Sequence, residues 1–278
     1  MTKTQAAETT SASRPPEPEP LTVPVLDSHT HLEMQEASVA DALSAAARVG
    51  VHRVVQVGTD VASSRWGVAQ AEQHATLDAT VAIHPNDAPL LDDLDAELAQ
   101  IDELAAQEVV VGIGETGLDY FRTTQAGRPA QHAAFRGHIE IAKRHNKALM
   151  IHDRQAHEDV LRILDERGAP EQVILHCFSG DVSFAAECAR RGYFMSFAGN
   201  VTFTNAKQLQ EAAAAIPVEL LLTETDGPYL TPVPYRGRQN APYVLPITVR
   251  YLAQLRGVDL NQLCAAVWAN GERAFATR

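Results

Sequence analysis

The sequence predicts a single-domain α/β protein of the (β/α)8, or TIM barrel, class, and three observations carry that prediction. Eight short apolar runs alternate with longer, alanine-rich amphipathic stretches, the pattern of βα units around a parallel sheet. A length of 278 residues is ordinary for one such barrel. Ligand-type side chains recur at the C-terminal ends of the runs, the end at which barrel enzymes build their sites.

In chain order, the strands are expected at 25–31, 53–58, 79–84, 109–115, 148–152, 172–177, 193–198 and 219–224. Helices are expected near 38–49, 63–76, 93–106, 130–145, 157–167, 182–191 and 205–215, with more helix after about 244. No repeat beyond the βα unit, no linker and no second domain is apparent. Residues 1–20, rich in Pro, Glu, Ser and Thr, are expected to form a disordered tail ahead of a barrel spanning 21–278.

Composition narrows the function classes. The hydrophobic share of 45% supports a large core, yet no apolar run nears the roughly 18 residues of a membrane helix. The N-terminal stretch lacks the apolar segment of a secretory signal. Cys177, Cys188 and Cys264 form no CxxC pair, which points to a reduced, cytoplasmic protein whose metal ligands are not thiolates. A net charge of −12 argues against a broad basic surface for nucleic acid. It does not exclude a phosphodiester substrate, because bound metal supplies positive charge that residue counts omit. No membrane contact or obligatory protein partner is implied.

His29 and His31 lie one residue apart on the first run and so share a strand face. Later runs end in His84, Glu115, His152, His176 and Glu224-Thr225-Asp226. His29, His31, Glu115, His152, His176 and Asp226 make four imidazoles and two carboxylates, a set suited to zinc, manganese, iron or a similar ion. Six ligands are too many for one catalytic zinc and suit two divalent ions roughly 3.5–4 Å apart, bridged by a carboxylate. The competing reading is that one or two of these groups are ordinary core or surface residues.

Glu115 sits among Gly112, Gly114 and Gly117, which permit close backbone approach around the acid. A glycine-rich phosphate cradle is the rival reading, weakened because the segment continues into Leu-Asp-Tyr-Phe-Arg instead of opening a helix. Cys177 is expected to point away from His176 and pack. Glu224 and Asp226 share a face, so one would ligate metal while the other orients a ligand. Arg122, Arg154, Arg236 and Arg238 follow strand ends or the last loop, and guanidinium suits phosphate. Arg154, two residues after His152, is the one expected to face the barrel.

These motifs resemble the TatD family of metal-dependent deoxyribonucleases, within the amidohydrolase-like barrel superfamily. The resemblance runs from about Val25 to Phe275. It is carried by Asp27-Ser28-His29-Thr30-His31-Leu32, Gly114-Glu115-Thr116-Gly117-Leu118-Asp119-Tyr120, Ile151-His152-Asp153-Arg154, His176-Cys177-Phe178-Ser179-Gly180, Glu224-Thr225-Asp226-Gly227-Pro228-Tyr229-Leu230 and the loop from Pro232 to Pro242. Glu115 stands where many superfamily relatives place a carbamylated lysine, which favours the TatD-like branch.

The resemblance implies one ion on His29, His31, Glu115 and Asp226, and a second on Glu115, His152 and His176. The ions would be Zn, Mn, Mg, Fe or Co. It further implies 3′-to-5′ exonuclease action on single-stranded DNA or 3′ ends through a metal-bound hydroxide. Asp226 and Glu115 would be catalytic, His84, Arg154 and Arg236 would bind substrate, and Glu224 would orient a ligand. Departures fall at Glu33, at His84-Pro85-Asn86 and at Asp153 and Gln155. They line the substrate side and remove no metal ligand. The alternatives are a metal-dependent deacylase or amidase, such as a D-aminoacyl-tRNA hydrolase, and a metal-binding barrel that serves only as a partner-binding module.

Overall fold

A computed structural model describes residues 14–275 of the chain. Eight strands form one parallel sheet in sequence order. They are β1 (Val25–Thr30), β2 (Val51–Val57), β3 (Leu77–Val81), β4 (Val110–Asp119), β5 (Ala148–Arg154), β6 (Val173–Leu175), β7 (Phe194–Phe197) and β8 (Leu221–Thr223). The ring closes just past β8, where Asp226 N–H donates to the His29 carbonyl at 2.9 Å and His31 N–H to that of Gly227 at 2.8 Å. Around it lie α1 (Val39–Arg48), α2 (Val61–Ala71), α3 (Leu94–Ala105), α4 (Arg128–His145), α5 (His157–Arg167), α6 (Val182–Arg190), α7 (Lys207–Ala215), α8 (Leu245–Arg256) and α9 (Leu260–Phe275).

Helix starts follow the local chemistry. Ser38, Asp60, Asp93 and Asp181 each accept a hydrogen bond from a backbone N–H of the first turn, satisfying donors that the helix leaves unpaired. The apolar interior is split in two. One cluster packs the sheet against the helices. The other takes Leu26, Val55, Val57, Val111, Ala148, Met150, Ile174, Phe194 and Leu222 from seven strands, with Ala274 and Phe275 of α9. Drawing on no other helix, it fills the barrel lumen, and α9 closes the lumen's lower end.

That lumen sets the position of the site. Side chains alternate along a strand, so Met150 is followed on the same face by His152, Ile174 by His176 and Leu222 by Glu224. In β1 the pairing shifts register between Asp27 and Thr30, where parity passes from the even Leu26 to the odd His29 and His31. β4 shifts likewise between Ile113 and Thr116, around Glu115.

All eight expected strands are present, with altered ends. β4 runs four residues past Glu115, because Thr116 to Asp119 continue to pair with Ile151 to Arg154 of β5. Gly117 permits this at φ +129°, where an added Cβ would sit 2.1 Å from the His152 carbonyl oxygen. β3 ends three residues before His84, which stands on the loop beyond it, and β8 ends one residue before Glu224, whose N–H still donates to the Phe197 carbonyl at 3.2 Å. The tail expected to be disordered over 1–20 falls outside the described residues up to 13. Residues 14–20 lie against the barrel: Arg14 pairs with Glu36, Arg48 with Glu17, and Tyr243 donates to the Pro15 carbonyl at 2.6 Å.

Candidate metal centre

The structure brings the six expected residues together at the C-terminal mouth. His29, His31 and Asp226 place one ligand atom each within 4.8 Å of one another, as do His29, Glu115 and His176, and His84, Glu115 and His152. Glu115 is the hub. Its Oε1 lies 2.7 Å from His152 Nδ1 and 2.8 Å from His176 Nε2, and its Oε2 lies 3.5 Å from His29 Nε2 and 3.7 Å from His31 Nε2. Asp226 Oδ1 is 3.7 and 3.8 Å from the same two histidine nitrogens.

Neighbouring acceptors decide which imidazole nitrogens carry protons. His31 Nδ1 is 3.1 Å from the Val57 carbonyl and His29 Nδ1 is 3.1 Å from the Met150 thioether, both acceptors, so in the neutral rings it is Nε2 that offers a lone pair to the cluster. His176 Nδ1–H donates to Glu224 Oε1 at 3.2 Å, and His152 Nε2–H donates to Asp119 Oδ2 at 3.2 Å. These are carboxylate–histidine pairs of the kind that aim the other ring nitrogen at a metal. The free nitrogens of His152 and His176 therefore turn lone pairs onto Glu115 Oε1 at hydrogen-bond distance. Lone pair against carboxylate oxygen is repulsive unless a cation, proton or metal, stands between them. The donor set thus fits divalent metal.

The titration behaviour agrees. Burial alone would depress His176 and His31. The carboxylates Glu115 and Glu224 nonetheless lift His176 well above its usual range, while Glu33, Glu115 and Asp226 raise His31 to about 9. Burial would raise Glu115, yet His176, His84 and His152 hold it well below the ordinary carboxylate range. Burial wins at Asp226, pushed up to about 7, and at His29, lowered to about 4 with His176 adding to the effect. Glu115 thus stays anionic among imidazoles that share protons with it, positions that a metal ion would take over.

His84 differs from the other four histidines. Its Nδ1 accepts from Asn86 N–H at 3.0 Å, so Nε2 carries the proton and faces Glu115 Oε1 at 3.5 Å as a donor. That is the wrong tautomer for a ligand and the right one for contacting an oxyanion. Glu224 also accepts from Cys177 N–H at 2.8 Å, which fixes it beside His176. Arg154 and Arg236 stand apart from the cluster, their guanidinium carbons 4.0 Å over the Phe121 ring and 4.3 Å over that of Phe203. Arg122 is exposed. Arg238 donates to the Arg14 carbonyl at 3.3 Å.

Three contributors were missed from sequence. Asp119, the partner of His152, lay in a quoted motif, but only the β4 extension brings it level with β5. Asp27 accepts from Thr225 N–H at 2.8 Å and from its hydroxyl at 2.5 Å, tying the first strand to the Asp226 loop. Cys177 does not follow strand alternation, because its φ is +42°. Its thiol feels the charges of Asp226, Glu224 and Glu115, and burial among them raises its pKa well above the usual value.

A parallel barrel with histidine and carboxylate ligands at its C-terminal mouth defines a metal-dependent hydrolase. A family model described as TatD related DNase matches residues 26–276, and the chain belongs to that family. An uncharacterized metal-dependent hydrolase, TatD, of Mycobacterium tuberculosis is 44% identical over 259 residues, covering 90% of this chain and 97% of the relative. The uncharacterized metal-dependent hydrolase YabD of Bacillus subtilis is 37% identical over 255 residues, covering 90% and 98%. Among solved structures, the TatD homologue YjjV of Escherichia coli superposes with a TM-score of 0.85 at 25% identity, covering 91% of this chain and 98% of that one.

Proposed function

We propose that this hydrolase is a two-metal phosphodiesterase that removes nucleotides from the 3′ ends of DNA. The observation that carries the reading is the convergence of four imidazole lone pairs on Glu115 and Asp226, which gives two neighbouring ligand groups sharing one carboxylate. His29, His31, Glu115 and Asp226 would hold one ion and Glu115, His152 and His176 the other. When bound, the ions supply Lewis acidity and activate water as the nucleophile.

The chain's own groups then divide the work. Asp226, at the open side of the cluster, takes the proton of the attacking water on a carboxylate oxygen. His84 presents its Nε2–H to a phosphoryl oxygen. Arg154 and Arg236 hold the strand's phosphates by charge-assisted hydrogen bonds and set the line of attack. Asp119 and Glu224 keep His152 and His176 in the ligating tautomer. The family's description as DNase favours a nucleic-acid ester over a carboxylic ester.

The test is nucleotide release from a 5′-labelled single-stranded oligonucleotide by metal-replete protein. Stepwise shortening from the 3′ end, stopped by chelator and abolished by Glu115→Ala, is expected. Intact DNA alongside brisk hydrolysis of D-aminoacyl-tRNA or other carboxylic esters would sink the nuclease reading.

A further inference from the structure

Phe121 is 59% exposed at the mouth of the barrel. The chain around it is firmly held. Phe121 N–H and Arg122 N–H both donate to Asp119 Oδ1, at 2.9 and 2.8 Å, and Tyr120 N–H donates to the Arg154 carbonyl at 2.9 Å. Asp119 N–H in turn donates to Gln131 Oε1 at 3.1 Å. The other oxygen of Asp119 receives His152 Nε2–H, so a single carboxylate links this turn to the metal group. A rigid turn thus presents a large apolar ring to water next to the reaction centre.

The ring is also partnered. Asp119 and Arg154 are register partners in the β4–β5 pair, and the Arg154 guanidinium lies 4.0 Å from the Phe121 centroid, a cation–π geometry. The residue keeps over half of its surface open, with the guanidinium held against the ring. Phe121 has company at the same end of the barrel. Of seven exposed large apolar side chains among the described residues, Met34, Leu90, Phe121, Tyr229 and Val233 lie in the segments between a strand and the α-helix that follows it.

Scattered exposed apolar residues need no explanation. A clamped aromatic with an arginine on its face, one carboxylate from the metal ligands, does. We propose that Phe121, backed by Arg154, is a stacking seat for the nucleobase adjoining the cleaved phosphate. The inference rests on the phosphodiesterase reading above. A base stacks on an aromatic face whatever its identity, but must be unpaired to do so. Phe121 therefore selects frayed or single-stranded ends without selecting sequence, while Arg154 holds the phosphate of the same nucleotide.

The experiment compares Phe121→Leu and Phe121→Trp with the unaltered protein on two strands. One is an ordinary single-stranded oligonucleotide; the other has the same backbone but lacks bases on its three terminal 3′ sugars. Loss of one stacked base lowers kcat/KM of F121L on the ordinary strand by about 5- to 150-fold, chiefly through KM. On the base-less strand the loss shrinks to within about twofold, and F121W keeps most of the activity on the ordinary strand. Equal losses on both strands would assign Phe121 a structural role and overturn the proposal, as would an unaltered KM in F121L. If the unaltered protein cleaves neither strand, the phosphodiesterase reading fails first and this inference falls with it. If it cleaves both and F121L matches it, only the stacking seat is lost.

Discussion

His138 gives a prediction that can be worked from the structure without reference to metal. It is fully buried in α4 and lies behind the Glu115 strand, accepting from Ile83 N–H at Nε2 (3.1 Å) with Nδ1 2.7 Å from the Thr116 hydroxyl. Burial lowers its pKa from the usual 6.5 to about 3. Between those two values the unfolded chain binds a proton that the folded chain refuses, so stability falls as pH drops below 6.5. The slope from this one group is about 1.4 kcal/mol per pH unit, or about 2 kcal/mol between pH 6.5 and pH 5. His138→Gln keeps an acceptor for Ile83 N–H and cannot titrate. Its stability in urea, measured from pH 8 to pH 5, should therefore fall less steeply than that of the unaltered protein by about 2 kcal/mol over that window. Any constant offset between the two curves reflects packing alone. Parallel curves would refute the assignment of a neutral, buried His138.

Two further predictions concern the ligands. Glu224→Gln removes the charge that receives His176 Nδ1–H while leaving an oxygen in place, so metal affinity should fall by about 10- to 100-fold. Chelator competition measures this, and unaltered affinity would show that Glu224 does not support His176. Stripping metal from the protein removes a ligand that binds only the folded state. At an ion concentration about 100 times Kd this costs about 2.7 kcal/mol, and the melting temperature should drop by roughly 5–10 °C. An unchanged melting temperature with chelator would mean that the mouth holds no metal.

The barrel was legible because each strand is a compact apolar run and each helix a longer amphipathic one, and both signals are local. The cluster of candidate ligands was legible for a related reason: His152 and His176 continue the lumen-facing parity of Met150 and Ile174. What could not be read was anything set by pairing across strands. β4 was expected to end at Glu115, with its glycines allowing close backbone approach around the acid. In the fold, Gly117 lets the ladder run on to Asp119, and that extension makes the His152 partner and the Phe121 turn. Cys177 was misplaced for the converse reason, since strand alternation was assumed where a single positive φ ends it. Of the tail expected to be disordered over 1–20, only residues 14–20 are described, and there Arg14, Pro15 and Glu17 find specific partners in Glu36, Tyr243 and Arg48, which composition does not encode.

The net charge of −12 looks unfavourable for a polyanionic substrate until the arginines are sorted by what they touch. Arg48, Arg53, Arg136, Arg144, Arg162, Arg167, Arg190 and Arg191 are paired with carboxylates, so their charge is largely spent within the protein. Arg154 and Arg236 at the mouth lie instead on aromatic rings, which orient a guanidinium without neutralising it. Ions in the cluster would add to that local charge. In the proposed nuclease, the net negative charge would disfavour binding along the body of a nucleic acid, and the mouth would hold an end. Grip on a few terminal nucleotides and repulsion elsewhere is the charge distribution that an end-acting enzyme requires, and a nuclease that bound duplex DNA along its length would need the reverse.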